Sequence, residues 1–478
     1  MTPSTVAIDV FTWPLIGPAL RWRHARTALQ LVMLVIAAAM VVHGLAGPQI
    51  APANLATVLT WVHYRGLLIV ALLAAGNLFC TGCPFILVRD AGRRLHAPSA
   101  RWPRVLRRKW IAVALFVAVL FAYELFDLWS LPRATAWLVL SYFAAALVID
   151  LTFTGASFCK YLCPIGQFNF AASTLSPLEL RVRRPATCQT CQTVDCIKGQ
   201  RAPAEPLRVV KRGCELGLFL PAKVGNLDCT FCLDCVQACP HDNIALAARV
   251  PGLELADGRR RSGIGRLVHR WDIAALVVVF VFGSLLNALG MIAPVYVVEQ
   301  WLGRALGTSV EAPVLATLFV LVLVVAPAAL LAGAGLWSAA VARSSMARQV
   351  SAYVYALLPF GVGVWAAHYG FHLLTGALTI IPVAQSAAAD LFGRALLGPP
   401  LWTWVGLRPG TVFPIQLGLI ALGTMGSLGV AYAIAERECP ERPGAVTVPW
   451  AVVTLVLAAA AVWILSQPME MRASAVLG

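Results

Sequence analysis

Long apolar runs alternate with short polar segments along the chain, and this pattern predicts a membrane protein. Nine runs of about 20 residues are apolar enough to cross a hydrocarbon core of roughly 30 Å. They lie at residues 27–46, 59–79, 109–129, 134–153, 271–294, 311–335, 352–380, 412–434 and 447–466. We therefore expect an all-α polytopic membrane protein with about nine transmembrane helices.

Only one polar segment is long enough to form a domain of its own. Residues 181–270 interrupt the apolar pattern and carry eight of the thirteen cysteines. We therefore predict three modules. Residues 1–180 form an N-terminal membrane module of four helices, residues 181–270 form the insert, and residues 271–478 form a C-terminal membrane module of five helices.

The second half of the insert contains a cysteine run that is specific for iron–sulfur binding. Cys229, Cys232, Cys235 and Cys239 follow the spacing C-x2-C-x2-C-x3-C and are followed by Pro240. Bacterial ferredoxins use this run to hold [4Fe–4S] clusters, and its fourth cysteine ligates the other cluster when there are two. The pattern predicts a small α+β ferredoxin-like domain in the insert.

Eight cysteines are the number that two [4Fe–4S] clusters require, and the crossed ligation of two-cluster ferredoxins divides them into two groups. The first group is Cys188, Cys191, Cys196 and Cys239. The second group is Cys229, Cys232, Cys235 and Cys214. Structural zinc is the competing interpretation, because paired C-x2-C units also bind zinc. The close spacing of three thiolates favours iron and sulfur.

Two further cysteine pairs follow the second and fourth apolar runs. Cys80 and Cys83 form one pair, Cys159 and Cys163 form the other, and each pair is followed directly by proline. Together the four thiols could hold a third [4Fe–4S] cluster or bind Cu(I), for which soft thiolates are suited. They could also act as redox-active dithiols, or be inert buried cysteines.

Composition and charge place the chain in a membrane and orient it. Hydrophobic residues make up 59% and charged residues 12%, while the net charge is +15. The basic segments follow the second and fourth apolar runs, so the positive-inside rule places both in the cytoplasm. We expect a bacterial inner-membrane protein with its N-terminus and insert cytoplasmic and its C-terminus periplasmic. Topology and membrane lipid account for the charge, so no nucleic-acid partner is expected.

Ionisable residues within the apolar runs are candidates for a functional site, because they are costly inside a bilayer. His368 and His372 lie four residues apart, and therefore on one helix face. His63 and Glu124 are expected on the same side of the membrane. These four residues could bind a quinol, since His and Glu can exchange its protons. A b-type haem and interhelical packing are the alternatives.

The cysteine motifs resemble those of the membrane-bound polyferredoxins, which include NapH-like, NosR-like and CcoG-like [4Fe–4S] proteins. The resemblance is carried by Cys159-x3-Cys163, by the Cys80 and Cys83 pair, and by the insert, and it covers roughly residues 20–270. It implies [4Fe–4S] clusters on the cytoplasmic side. For NapH-like and NosR-like proteins it implies quinol oxidation that supplies electrons to periplasmic reductases.

The sequence thus predicts an electron-transfer protein that links the quinone pool to a redox partner of the cytochrome or ferredoxin type. It could be a subunit of a quinol dehydrogenase. The chief alternative is an assembly factor that reduces or hands over copper for a respiratory metalloenzyme, as the CcoG-like resemblance implies. A redox-linked transporter or sensor is a third interpretation, because no task is assigned to the last five apolar runs.

Overall fold

The computed structural model describes residues 8–202 and 209–469 of the chain. Within these ranges, eight helices are long and apolar enough to cross a membrane. They are Ala25–Ala46, Leu55–Ala75, Pro132–Thr152, Trp271–Leu289, Glu311–Ala342, Met346–Thr375, Pro409–Glu438 and Pro443–Ser466. The predicted polytopic, mainly helical fold with a small insert is confirmed, and the chain is a multi-pass membrane protein.

The third predicted span is shorter than expected. Helix Trp110–Leu125 is apolar but has 16 residues, which at 1.5 Å per residue is about 24 Å, below the roughly 30 Å of a hydrocarbon core. The helix ends because Asp127 adopts a left-handed conformation, with φ of 43°. Aspartate tolerates this conformation better than most residues do, and it breaks the helical hydrogen-bond ladder. The chain then turns before the next helix begins at Pro132.

Shorter helices connect the long ones or belong to the insert. They are Ile16–Arg21, Leu78–Thr81, Pro84–Leu95, Pro164–Ala172, Pro185–Gln189, Asp195–Lys198, Asp234–Ala238, Ala293–Leu306 and Ile380–Phe392. Two of them, Pro84–Leu95 and Pro164–Ala172, begin at a proline that directly follows a cysteine. Proline is favoured in the first turn of a helix, where its missing N–H costs no hydrogen bond.

The described part of the insert contains two small antiparallel sheets. Strand β1 (Leu178–Val182) pairs with β4 (Ile244–Ala248), and β2 (Gln200–Arg201) pairs with β3 (Val209–Lys211). In the first sheet Leu180 lies opposite Leu246, and both are buried. These strands close the two ends of the cysteine-rich segment onto each other.

The chain divides into two compact units. We call the first the cysteine-bearing unit; it comprises Met1–Ile36, Ala71–Ala112 and Tyr142–Arg270. The second unit comprises Ala37–Val70, Val113–Ser141 and Trp271–Gly478. The predicted modules with boundaries near residues 180 and 270 remain a prediction, because compactness groups the residues differently.

An apolar core includes or packs against five of the eight insert cysteines: Cys196, Cys214, Cys229, Cys235 and Cys239. Leu180, Leu216, Leu220 and Leu246 are each at most 6% exposed, and Phe231 is completely buried. Dry surroundings of this kind lower the local dielectric and strengthen every electrostatic interaction of the thiols.

Among the described residues, three helical segments have π-helical geometry: Val58–Tyr64, Phe158–Leu162 and Leu321–Val325. Such segments are uncommon and often occur at functional sites. The first contains His63 and the second contains Cys159, which are both candidate site residues. The third contains no candidate residue.

Candidate functional site

Four of the insert cysteines line one cavity. Cys188, Cys191, Cys196 and Cys239 surround about 410 Å³ of empty space that is partly open to solvent. These are the cysteines that the crossed ferredoxin pattern groups together. We call them the first set.

The other four insert cysteines line a second cavity. Cys214, Cys229, Cys232 and Cys235 surround about 310 Å³ of space, part of it again open. We call them the second set. The structure thus divides the eight cysteines into two groups of four, and each group takes one member from the other half of the insert sequence.

The backbone around both sets repeats one local structure. Val194 and Leu233 both adopt left-handed conformations, with φ of 48° and 61°. Each is followed by an aspartate that begins a short helix, and then by a cysteine, Cys196 or Cys235. Left-handed residues among right-handed ones turn successive N–H groups toward a common centre, a geometry that binds anions and iron–sulfur clusters. In the sequence, Cys188-x2-Cys191-x4-Cys196 is a loosened version of the second cysteine run, but this spacing does not predict the left-handed conformations.

Hydrogen bonds to sulfur orient three of these thiols. The Leu218 amide donates to Cys214 Sγ at 3.4 Å. Asn243 donates twice: its amide to Cys239 Sγ and its side chain to Cys188 Sγ, both at 3.4 Å. Such bonds favour the thiolate, which is the form that binds metal.

The two sets differ in burial. Burial raises the pKa of Cys235 well above its ordinary value, and the neighbouring Cys232 and Cys229 raise it further. In the first set, burial raises the pKa of Cys196 to about 11, whereas the Val194 amide lowers the pKa of Cys191. Metal binding must therefore displace protons from the buried thiols.

One side chain is common to the two cavities. Leu220 lines both of them, and it is 6% exposed. Groups held in the two cavities would therefore both lie next to this buried leucine.

The spacing of the thiols bears on whether they bind a single metal ion or an iron–sulfur cluster. Within the described residues, no three His, Cys, Asp or Glu side chains are close enough to hold a single metal ion. A [4Fe–4S] cluster spreads its four thiolates more widely, because each binds a different iron. Two cavities with four cysteines each and N–H groups turned inward fit such clusters.

Cys80, Cys83, Cys159 and Cys163 form a third group, which we call the membrane-edge set. Burial and then the charge of Cys83 raise the pKa of Cys80 to about 12. Burial and the nearby Cys83 and Cys80 also raise the pKa of Cys163, against a hydrogen bond from the Gly166 amide. The two pairs, which lie far apart in the sequence, are thus neighbours in the fold.

Hydrogen bonds join the membrane-edge set to the loop of the second set. Asn77 donates to the Cys229 carbonyl at 3.0 Å, and Thr81 donates to the Phe231 carbonyl at 2.6 Å. Asn169 donates to Cys80 Sγ at 3.2 Å. The sequence analysis gave no role to these three polar residues, because their partners lie 89 to 152 positions away.

A buried charge network holds the segment that carries Cys159. Arg89, which is 1% exposed, bonds Asp150 at 3.2 Å and Glu215 at 2.8 Å. The other oxygen of Asp150 accepts from the Phe158 amide at 2.8 Å. In the sequence Arg89 is only one cation of a basic segment, whereas in the fold its guanidinium binds the carboxylates of two distant residues. It also lies close enough to Cys159 to oppose the rise in the pKa of that thiol that burial causes.

A second buried pair links the loops next to Cys159 and Cys229. Lys109 donates to Asp228 at 2.8 Å and to the Lys160 carbonyl at 2.6 Å. The Lys160 ammonium in turn donates to the Leu216 carbonyl. This pair therefore holds the loop that follows Cys159 against the insert.

The histidine candidates lie in the second unit. His368 is fully buried, and neither of its ring nitrogens has a hydrogen-bond partner; the same holds for Nε2 of His372. The two rings are 5.0 Å apart and nearly perpendicular. Buried polar groups without partners are rare and call for an explanation.

The other candidates have partners. His63 lies near the carbonyls of Val58 and Ala377, at 3.2 and 3.4 Å, and Glu124 accepts from Asn287 at 3.2 Å. No contact that joins all four predicted residues is found in the described ranges.

Arg65 is a further member of this region that the sequence analysis did not single out. Its guanidinium lies 4.2 Å from the ring centre of Trp61, 4.3 Å from that of Tyr123 and 5.0 Å from that of Tyr369. Aromatic faces attract a cation, most strongly where water is excluded. Tyr369 follows His368 directly, so the arginine and the histidine pair belong to one polar region.

The haem alternative would need a second axial histidine. His43 is buried, but its Nδ1 accepts from the Leu55 amide at 3.0 Å and its Nε2 lies 3.1 Å from Asp390. Both nitrogens of His63 also face carbonyl oxygens. Haem ligation by either residue would require the loss of these bonds.

These features define a multi-pass membrane protein with three groups of four cysteines in one compact unit. Comparison with known proteins leads to the same class. The chain is 28% identical over 193 residues to the regulatory protein NosR of Pseudomonas aeruginosa, a match that covers 36% of this chain and 24% of that protein. It is 24% identical over 194 residues to NosR of Stutzerimonas stutzeri, with the same coverage.

A third relative is YccM of Escherichia coli K12, which bears a provisional name as an electron transport protein. It is 31% identical over 96 residues, which are 20% of this chain and 22% of that protein. The chain therefore matches about a quarter of the length of its curated relatives. No family model and no solved structure matches the chain. The resemblance to membrane-bound polyferredoxins of the NosR type is confirmed for the aligned part.

Proposed function

We propose that the protein is a membrane-bound iron–sulfur electron-transfer protein that links the quinone pool to a redox partner. The observation that carries this proposal is the division of eight insert cysteines into two cavities of four, both of which are also lined by Leu220. The electron-transport name of the YccM relative supports it. When bound, [4Fe–4S] clusters would supply one-electron storage at potentials that burial and hydrogen bonds to sulfur set.

The residues of the chain have definite tasks in this proposal. The left-handed turns and Asn243 orient the thiolates, and the leucine core excludes water from the second set. The iron and acid-labile sulfide content of anaerobically purified protein, with spin-counted EPR after reduction, tests the proposal. About eight irons per chain are expected from these two sets alone; zinc in their place would overturn it.

The membrane-edge set is proposed to hold a third [4Fe–4S] cluster. The support is the burial of its thiols, the hydrogen bond from Asn169 to Cys80, and the bonds from Asn77 and Thr81 to the loop of the second set. About twelve irons per chain would then be found instead of eight. About eight irons with retained thiol titration of Cys80 and Cys163 would contradict the third cluster.

Copper handling is the second candidate function, because the four membrane-edge thiols are soft ligands separate from the other eight. Cu(I) bound by a pair of the membrane-edge cysteines, without any quinol-driven reduction of the protein, would favour an assembly factor. Titration of the purified protein with Cu(I) and a competing chelator distinguishes the two functions.

A quinone site is proposed at His368 and His372. Their unpartnered ring nitrogens could bind the oxygens of a quinone ring and take up protons from its quinol. Arg65 and Tyr369 lie in the same region and would keep it polar. Reduction of the purified protein by a short-chain quinol tests the site.

We further propose that the membrane is the bacterial inner membrane and that the short apolar helix Trp110–Leu125 is a ninth crossing, which places the insert and the N-terminus in the cytoplasm and the C-terminus in the periplasm. The support is the basic segment 89–109, which the positive-inside rule assigns to the cytoplasm. Reporter fusions after residues 96, 270 and 442 would test this orientation; periplasmic activity at residue 270 would contradict it.

A further inference from the structure

We propose that Arg26 and Gln30, on the first membrane helix (Ala25–Ala46), lie beside the membrane-edge set and favour the reduced form of the group held there, and that Arg26 does the same for the second set. This inference rests on the proposed function and deepens it, because it names residues that set how readily two of the three cysteine sets accept an electron. Both act through the groups that the cysteines bind, so they are positioning residues.

The first membrane helix begins against the loop of the second set. The guanidinium of Arg26 donates to both carboxylate oxygens of Asp234, at 3.0 and 2.8 Å. Asp234 begins the short helix that contains Cys235. The carbonyl of Arg21, just before the membrane helix, accepts from the side chain of Gln237 in the same short helix at 2.7 Å. These contacts hold the start of the membrane helix beside the second set.

The same helix packs on the membrane-edge set. Leu29 lies so close to Gly82 that a Cβ at this glycine would come within 2.9 Å of the leucine side chain. Gly82 directly precedes Cys83. Arg26, Leu29 and Gln30 are three and four residues apart, so they share one face of the helix. That face is therefore turned toward the loop of the first cysteine pair.

The charge of Arg26 acts on both sets. Burial raises the pKa of Cys83, and Arg26 is one of the groups that oppose this rise. Burial and the neighbouring Asp234 raise the pKa of Cys232, again against the charge of Arg26. A cation that favours a thiolate also favours the added electron of a reduced cluster, because both are negative charges at the same place.

Two N–H groups on this helix face have no hydrogen-bond partner in the described part of the chain. They are Nε of Arg26 and Nε2 of Gln30, and Gln30 is only 2% exposed. Buried donors are nearly always paired, so these two call for an explanation. Asn169 already donates to Cys80 Sγ at 3.2 Å. Sulfur atoms of a cluster at this set would accept similar bonds, which help to set its reduction potential.

The position of Arg26 beside both sets has a consequence for electron flow. An electron that reaches either group adds one negative charge, and Arg26 stabilises this charge at both places. When the electron passes from one group to the other, the first is oxidised and the second is reduced by one electron. No bond is made or broken, and no further reductant is needed.

The test is an anaerobic redox titration of the protein in nanodiscs, followed by EPR. The signal that is lost in Cys80→Ser identifies the membrane-edge cluster, and the signal that is lost in Cys235→Ser identifies the cluster of the second set. The test variants are Arg26→Met and Gln30→Leu. The control is Arg23→Met, which removes the same charge from an exposed position three residues earlier.

In Arg26→Met, the equilibrium constant for reduction should fall about tenfold at the membrane-edge and second sets, which for one electron is a decrease of about 59 mV in potential. At the first set, and at every set in Arg23→Met, this constant should change by less than about twofold. Gln30→Leu should lower it by about threefold at the membrane-edge set alone, because a donor is lost but no charge.

Two results would overturn the inference. One is an equal change in Arg26→Met and Arg23→Met, or an equal change at all three sets, because the effect would then not be local. The other is an unchanged potential of the membrane-edge cluster in both test variants. A residue that only supports the fold would leave these potentials where they are.

Asp234→Asn keeps the test decisive if Arg26→Met does not fold. This variant retains the cation and removes the carboxylate that partly cancels its charge, so the equilibrium constant for reduction should rise at both sets. A rise confined to the second set, which Asp234 adjoins in the sequence, would overturn the link between Arg26 and the membrane-edge set.

Iron content separates this inference from the proposed function. About eight irons per chain, with no EPR signal lost in Cys80→Ser, would overturn the third cluster and this inference together. About twelve irons, with potentials that neither Arg26→Met nor Gln30→Leu changes, would overturn this inference alone.

Discussion

Two buried regions, one in each unit of the chain, differ in how their polar groups are satisfied. In the cysteine-bearing unit, buried Arg89 and Lys109 both have carboxylate partners. In the second unit, His368 is just as deeply buried, but both its ring nitrogens lack partners. A carboxylate partner spares a buried cation the free-energy cost of an uncompensated charge and holds loops in place. An unsatisfied buried nitrogen, by contrast, lowers stability by about 1–3 kcal/mol. The first arrangement suits a fixed scaffold for ligands, and the second suits a site that a bound molecule completes.

The largest effect is expected from replacing a cysteine that would bind a cluster. Cys235→Ser should remove the cluster of the second set, so that about four irons per chain are lost. The matched control is Cys439→Ser, since Cys439 lies in the second unit and far along the chain from every motif. Iron analysis and spin-counted EPR measure the cluster content of both variants. Full iron content in Cys235→Ser would show that the second set does not hold a cluster.

The paired charges should be the next most sensitive feature. Arg89→Met removes the partner of Asp150 and Glu215, and the loss of one member of a buried pair costs about 3–5 kcal/mol. Thermal unfolding in detergent should show a large decrease in Tm. Arg104→Met, at an exposed position, should change stability by no more than about 0.5 kcal/mol. If both variants unfold alike, the network around Arg89 does not hold the fold.

The unpaired histidines should respond in the opposite direction. His368→Leu combined with His372→Leu removes unsatisfied nitrogens, so stability should be kept or increased. Reduction by quinol should nevertheless slow by about tenfold or more, because general acid–base groups contribute at least this much. His96→Leu, an exposed substitution, serves as the control. Unchanged quinol-driven reduction in the double variant would leave packing as the role of these histidines.

The sequence could predict those parts of the molecule that depend on local pattern. Hydropathy located eight long helices, and it overestimated the third because Asp127, a single residue, ends the helix early. Cysteine spacing grouped Cys214 with the C-x2-C-x2-C run, and these residues line one cavity. Both predictions rest on periodicity and known ligand spacing, which short stretches of sequence contain.

The sequence could not predict contacts between distant segments. Arg89 meets Glu215 across 126 positions, and Asn77 meets the Cys229 carbonyl across 152. A run of cations near an apolar segment is equally consistent with lipid contact. Charge alone therefore cannot show whether one of these cations is buried against a carboxylate or exposed to lipid. The aromatic contacts of Arg65 were not predicted for a related reason, because Tyr123 and Tyr369 lie far from it in the sequence.

The smallest effect concerns a single polar contact beside the membrane-edge set. Thr81→Val keeps the shape of the side chain but removes its 2.6 Å hydrogen bond to the Phe231 carbonyl. The cost should be about 1 kcal/mol, the usual contribution of a neutral hydrogen bond. Thr152→Val is the matched control, because the Thr152 hydroxyl bonds only the exposed turn of its own helix.

Thermal unfolding and iron content together decide what this threonine does. A small decrease in Tm with unchanged iron means that Thr81 only steadies the loop of the second set. Loss of iron in Thr81→Val would show that the loop depends on this contact to hold its cysteines. The cysteine-bearing unit would then be less rigid than its paired charges suggest, and the contrast with the histidine region would be weaker.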